Sequence, residues 1–196
     1  MTSLPVSSST AVEIRLATPS DIPHIMKIHK EAYQTFRDHG MAMPDFEPSP
    51  GDFLSSLNDE KLWVAEENSS CAGFIQADAF CNGDSDFYTA YIRQVSVSTA
   101  HARKGVGKQL IEFVEGWARE LELQGIDLTT YKDIPWNAPY YERLGYSTLG
   151  REELCKDNAS DVHDELKSES EHELCLSWPR VAMRKCFDCG MSCVAQ

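Results

Sequence analysis

The feature that most constrains this chain is a change of hydrophobic period between residues 87 and 125. From Phe87 to Val97, after the turn-rich Asn82-Gly83-Asp84, the chain reads as a strand. Val106, Leu110, Ile111, Val114, Trp117, Ala118 and Leu121 then fall on one helical stripe that ends at Gly125, a natural helix C-cap. Between strand and helix lies Thr99-Ala100-His101-Ala102-Arg103-Lys104-Gly105-Val106-Gly107-Lys108. Two close glycines, flanking bases and a helix N-terminus make an anion cradle: free N–H groups converge, the helix dipole adds positive charge, and the glycines admit a phosphate to the main chain. The spacing matches neither the dinucleotide GxGxxG nor the GxxxxGK[ST] of phosphate-loop NTPases, which argues against both.

Around this unit the pattern is mixed. Val12, Ile14 and Leu16 alternate as in a strand. Thr18-Pro19-Ser20-Asp21 caps a helix that carries Ile22, Ile25, Ile28, His29, Ala32, Tyr33 and Phe36 and ends near Gly40. A proline-rich loop from Met41 to Gly51 leads to a short helix at Phe53, Leu54 and Leu57. Leu62–Glu66 and Ala72–Phe80 form a hairpin across Asn68-Ser69-Ser70, and further strands follow at Ile126–Tyr131, Tyr146–Leu149 and Arg180–Lys185. Pro135–Leu144 reads as a loop and short helix. Residues 151–175, with nine acids against three bases, read as a solvated loop and polar helix. The order implies an α/β (mixed α+β) fold, one twisted mixed sheet of about six to seven strands flanked by helices. Residues 1–11 form a flexible tail, 12–186 one domain with 151–175 as an insert, and 187–196 a second tail.

The chain of 196 residues holds 18 Lys and Arg against 31 Asp and Glu, a formal charge of -13. It lacks the broad basic surface with which nucleic-acid binders neutralise phosphates. No run approaches the roughly 18 apolar residues of a membrane span, and the N-terminus lacks a secretory signal pattern. A cytoplasmic protein with neither nucleic-acid nor membrane partner is expected. Seven cysteines in a chain of this size read as reduced thiols. One Cys186-x-x-Cys189 pair with Cys193 and no second pair at suitable spacing predicts no metal site.

Two blocks resemble the GNAT superfamily of acyl-CoA-dependent N-acetyltransferases. Its signature of Gln or Arg, two residues, Gly, one residue, and Gly or Ala, following a Val-x-Val strand, falls on Ala102-Arg103-Lys104-Gly105-Val106-Gly107, with Ala102 at the usual Gln/Arg position. Trp136-Asn137-Ala138-Pro139-Tyr140-Tyr141-Glu142-Arg143-Leu144-Gly145-Tyr146 resembles the family's Asn…Ala…Tyr-x-x-x-Gly-aromatic block.

The resemblance implies direct attack of an amine on acetyl-CoA in a ternary complex. It assigns the backbone N–H groups of Val95 and Val97 to the thioester carbonyl and Tyr141 to the general acid for the leaving thiolate. Acetyl-CoA would be held by Val95, Val97, Ala102, Arg103, Lys104, Gly105, Val106, Gly107, Lys108, Asn137 and Tyr141. Tyr91 stands where some relatives carry a basic glutamate; Glu66, Asp78, Asp133, His29 and His39 are the other candidate bases. Taken as alternating on one strand face with Tyr91, Val95 and Val97, Arg93 points toward the acceptor or forms a surface ion pair. Phe46 lies in the loop expected to wall the acceptor. A small-molecule amine is the expected acceptor and a monomer or homodimer the expected state. A transferase for protein N-termini or lysines, and a non-catalytic acyl-CoA sensor, are the alternatives.

Overall fold

The structure, a computed structural model, describes residues 12–43, 47–80, 87–156, 159–170 and 178–187. Phe46, both terminal tails beyond these bounds, Cys189 and Cys193 lie outside the described residues. The strands are β1 (Glu13–Leu16), β2 (Leu62–Glu67), β3 (Ser70–Phe80), β4 (Thr89–Val97), β5 (Gly125–Tyr131), β6 (Ser147–Thr148) and β7 (Arg180–Cys186). They form one sheet in the order β1-β2-β3-β4-β5-β7-β6, antiparallel except for the parallel β4–β5 pair. The helices are α1 (Ile22–Asp38), α2 (Gly51–Asn58), α3 (Val106–Glu120), α4 (Ala138–Arg143), α5 (Arg151–Leu154) and α6 (Ser160–Ser170). This is the mixed sheet, flanked by helices, that the period changes predict.

Alternation along the strands separates two apolar layers. Trp63, Ile75, Ile92, Leu128 and Met183 face the α3 stripe of Leu110, Ile111 and Val114, together with Tyr141 and Tyr146 from the α4 region. On the opposite face Val64 and Phe74 pack under Ile22, Ile25, Ile28 and Phe53 of α1 and α2. Farther along that face Tyr91 and Ala182 pack under Ala159 and Val162, next to Leu154 and Leu166. The acidic insert therefore docks part of its length through a short apolar stripe.

Two irregularities shape the middle of the sheet. The β3–β4 register sets Ile92 against Ala77 and Gln94 against Gln76, so Arg93 is an extra residue, a β-bulge. The bulge overturns the expected alternation. Ala90, Ile92, Val95 and Val97 share the α3 layer, whereas Tyr91 packs on the other face, so Tyr91 does not share a face with Val95 and Val97. The second irregularity is that β4 pairs with β5 only from Thr89↔Gly125 to Ile92↔Leu128. Beyond Leu128, β5 follows β7, through Thr129↔Ala182, Thr130↔Val181 and Tyr131↔Arg180.

A buried ion pair fastens β5 to β7 below the point of divergence. Arg184 donates Nε and Nη2 to the Asp127 carboxylate at 2.6 and 2.7 Å, with the two side chains 6% and 0% exposed. Thr89 Oγ1 adds a hydrogen bond to Asp127 at 2.9 Å. Arg184→Ala leaves a buried carboxylate with its cation removed and is expected to cost about 3–5 kcal/mol in urea unfolding. Asp127→Leu/Arg184→Met, which removes both charges, is expected to recover most of that loss.

Candidate active site

The glycine loop leaves β4 through a short 3-10 turn at Thr99–His101. Glu31 of α1 accepts hydrogen bonds from the Thr99 N–H at 3.0 Å and its hydroxyl at 3.2 Å. Ser98 Oγ lies 2.9 Å from His101 Nδ1, and His101 Nε2 lies 3.3 Å from Glu67, so α1 and β2 both hold the start of the loop. The chain then turns through left-handed φ values of +61° at Arg103 and +85° at Gly105 and enters α3. Gly105 is the α3 N-cap and has no side chain to cap the first turn. The leading N–H groups have no intrahelical partner, and the helix dipole points its positive end at the same place. Ala102, Arg103, Lys104, Gly105 and Lys108 are exposed around it, and Val106 is buried beneath.

Space at the cradle depends on Gly107. A Cβ there would lie 3.5 Å from both the Tyr140 hydroxyl and Val97 Cγ2, so the missing side chain leaves a slot between β4, α3 and α4. Exposed bases, the free helix N-terminus and this slot fit a polyanionic pyrophosphate carrying a long thin arm, which is the chemistry of CoA. Sequence reading named Gly107 and overlooked Tyr140.

Val97, on one side of this slot, belongs to the part of β4 beyond its pairing with β5, at the gap where the two strands part. Ser98 N donates to Ala72 O of β3 at 2.9 Å. Amides two residues apart in a strand point the same way, so those of Ser96 and Gln94 also face β3 and those of Val95 and Val97 face the gap. Their half-buried side chains pack against the α3 layer.

On α4, Asn137 is the N-cap; its carbonyl accepts from Tyr140 N and Tyr141 N at 2.8 and 3.1 Å, and its amide donates to Thr130 Oγ1 at 2.7 Å. The structure thus shows Asn137 tying α4 to β5. Tyr141 is 9% exposed and makes edge contacts with Tyr140 and Tyr146. Burial raises its phenol well above the usual value, a nearby Tyr91 adds to the shift, and the positive charge of Arg180 opposes it. Tyr141 therefore stays a proton-bearing donor at neutral pH, within electrostatic reach of residues on both sides of the gap.

On the α1 and α6 face of the gap stands a network that sequence reading did not assemble. Thr129 Oγ1 donates to the Glu169 carboxylate, accepts from Arg180 Nη2 at 3.1 Å, and lies 3.0 Å from the Tyr91 hydroxyl. Having spent its own hydrogen on Glu169, Thr129 receives one from Tyr91. Arg180 Nε donates to Glu169 at 2.9 Å, and its guanidinium lies 4.7 Å from the Tyr131 ring centre. Tyr33, Phe36, Tyr131 and Trp136 line the approach; Phe36 contacts the last two at 5.5 and 5.9 Å. Residues 131 and 180 are remote in sequence, so only the β5–β7 pairing brings these groups together.

The remaining candidates are engaged elsewhere. Arg93 pairs with Asp78 and, at 3.3 Å, with Glu165 of α6. Asp78 also meets Lys61 at 3.5 Å, and Glu66 holds Arg15 at 2.9 Å. His29 lies among Tyr33, Phe53 and Phe74, and burial lowers its pKa to about 4, which makes it a weak base at neutral pH. His39 edges against Trp136 at 4.8 Å, and Asp133 is exposed. Among the described residues no cluster of His, Cys, Asp and Glu forms a metal-sized group, and no helix is long and apolar enough to cross a membrane.

Comparison with known proteins agrees with this fold. The chain is 22% identical over 163 residues to S-(2-succino)cysteine N-acetyltransferase of Bacillus subtilis (strain 168), covering 82% of this chain and 97% of that protein. Its fold is similar to N-acetylglutamate synthase from Neisseria gonorrhoeae complexed with coenzyme A and N-acetyl-glutamate: TM-score 0.64, 16% identity, 91% of this chain and 36% of that one. It is also similar to Ard1 from Thermoplasma volcanium, with TM-score 0.63, 17% identity and coverage of 90% and 97%. The model of the acetyltransferase (GNAT) family matches residues 22–146, well over half of the sequence, and the chain belongs to that family.

Proposed function

We propose that the protein transfers an acetyl group from acetyl-CoA to the primary amine of a small molecule. The observation that carries this reading is the crowding beside the gap: Glu169 of α6 is joined to Thr129 and Arg180, Arg180 stacks on Tyr131, and Tyr33 of α1 lies close to Tyr131. Such crowding by two helices suits a compact acceptor, whereas a polypeptide needs an open groove. The amino-acid-derived substrate in the name of the Bacillus relative supports the same class.

Bound acetyl-CoA supplies the acetyl thioester that the amine attacks. The α3 N-terminus, with Arg103, Lys104 and Lys108 around it, neutralises and orients the phosphates. The Val95 and Val97 amides donate to the carbonyl oxygen as it gains charge, and being fixed in the strand they need no reorganisation when that charge develops. Tyr141 donates its O–H toward the leaving sulfur. Because burial raises its phenol far above a thiol near pKa 8.5, hydrogen bonding to the developing thiolate is favoured over complete loss of the proton. Asn137 holds Tyr141 in place through the α4 cap.

The reading is tested by release of CoA thiol from acetyl-CoA with amino acids, amino sugars, polyamines, arylalkylamines and short peptides. Turnover with a small amine supports it; turnover with peptides alone, or tight CoA binding with no turnover, overturns it. Tyr141→Phe is expected to lower kcat about 10- to 1000-fold with CoA affinity nearly unchanged. A second expectation concerns pH: the raised Tyr141 pKa keeps its proton in place throughout, so kcat should show no alkaline fall from this group between pH 7 and 9. Gly107→Glu fills the slot and brings negative charge to the phosphates, and calorimetry should show CoA binding weakened at least tenfold.

A further inference from the structure

Two ion pairs of β7, Arg184–Asp127 and Arg180–Glu169, are built differently. Asp127–Arg184 is sealed, with both partners on strands. Arg180–Glu169 joins a strand to the insert helix, and its side chains are 16% and 33% exposed. Glu169 belongs to the last turn of α6, where the unpaired helix carbonyls disfavour a carboxylate. Arg180 is held by the sheet: it opens β7 directly opposite Tyr131, stacks on that ring and donates to Thr129. The cation is thus fixed by rigid elements, while its anion arrives on a helix attached through the short stripe of Val162 and Leu166. Glu165, one turn earlier, makes a similarly open contact with Arg93 at 3.3 Å, with side chains 39% and 31% exposed.

We propose that Arg180 receives a carboxylate of the acceptor, and that Glu169 holds that place until the acceptor enters. This deepens the small-molecule reading and rests on it: the acceptors are amino acids, with amine and carboxylate within a few bonds of each other. The Nε–Nη2 edge of a guanidinium matches a carboxylate bidentately. An entering anion displaces Glu169 from Arg180 and from the Thr129 hydroxyl, on a partly exposed helix end, whereas an entering cation would have to pull Arg180 off both Tyr131 and Thr129. Tyr131 stands beside Arg180, and Phe36 and then Trp136 continue from it as an apolar wall for the acceptor's side chain. Thr129, to which Arg180 donates, adjoins Thr130, which holds the α4 cap Asn137, whose carbonyl in turn accepts from Tyr141 N, so the carboxylate site is tied to the element that carries Tyr141.

The test compares L-phenylalanine and L-methionine with their amides and with the amines lacking the carboxyl carbon. In the wild-type protein the amino acids should be the better substrates. Arg180→Ala should raise their KM at least tenfold while shifting KM for the amides and amines less than twofold, and Arg180→Lys should restore part of the difference. Glu169→Gln, which releases Arg180, should lower KM for the amino acids a few-fold. Equal effects of Arg180→Ala on acceptors with and without the carboxylate overturn the assignment, as does a higher amino-acid KM in Glu169→Gln. Calorimetric binding of N-acetyl-L-phenylalanine and N-acetyl-L-methionine provides a readout independent of turnover. Binding that weakens tenfold in Arg180→Ala and recovers in Arg180→Lys sustains the carboxylate site even if no amine turns over, in which case the transferase reading alone fails. No binding to the wild-type protein, or equal binding to Arg180→Ala, overturns the proposal.

Discussion

Everything chemical in this protein depends on two neighbouring parallel strands pairing for four residues and then separating. Had β4 and β5 stayed paired beyond Ile92 and Leu128, the Val95 and Val97 amides would be spent on the ladder and no slot would run from the α3 N-terminus into the sheet. A separation of this kind exposes buried backbone groups, a costly arrangement unless partners are found. Each strand is therefore secured on its outer side. β4 stays on β3 through the Arg93 bulge, which keeps Val95 and Val97 on the α3 layer. β5 stays on β7, stapled by Asp127 and Arg184. In the proposed reaction the amides left in the gap receive the acyl carbonyl, and their direction is set before anything binds.

The three remaining parts attach to that gap. The glycine loop delivers positive dipole and bases at its outer end, and its start is fixed by Glu31 and Glu67 from two other elements. Tyr141 arrives from α4 with its proton secured by burial. The acidic insert docks at the far end through one short apolar stripe and partly exposed ion pairs, so its grip is weaker than that of the core helices. The formal charge of -13 coexists with an arginine at this end of the gap, so steering of a cationic amine and capture of a carboxylate act at different ranges.

The elements were legible in the sequence because their signals are local. The Thr18–Asp21 cap, the two apolar runs of β2 and β3 and the α3 stripe each occupy one short window and form the expected elements, except that α3 ends at Glu120 and Gly125, expected as its C-cap, opens β5 instead. The glycine cradle was legible for the same reason. Tyr91 and Arg93 were set on one face with Val95 and Val97 because strict alternation was carried through a bulge, and a one-residue insertion is invisible without the partner strand; of the two roles weighed for Arg93, the ion pair is the one the structure contains. Tyr140 was overlooked because its place against Gly107 depends on how α4 packs beside α3. Arg180, Thr129 and Glu169 were missed because residue 129 meets residues 169 and 180 only through β5–β7 pairing and the docking of α6. No spacing rule reaches across such distances.

The central claim is that the β4–β5 gap and the α3 N-terminus together hold an acyl-CoA, and it is tested most directly by backbone amide NMR of the labelled protein titrated with CoA and with acetyl-CoA. The account predicts that the Val106, Gly107 and Lys108 amides shift with both ligands, while those of Val95 and Val97 distinguish the acetylated form from the free thiol. Perturbations clustered away from the glycine loop, or identical responses of Val95 and Val97 to both ligands, would contradict it.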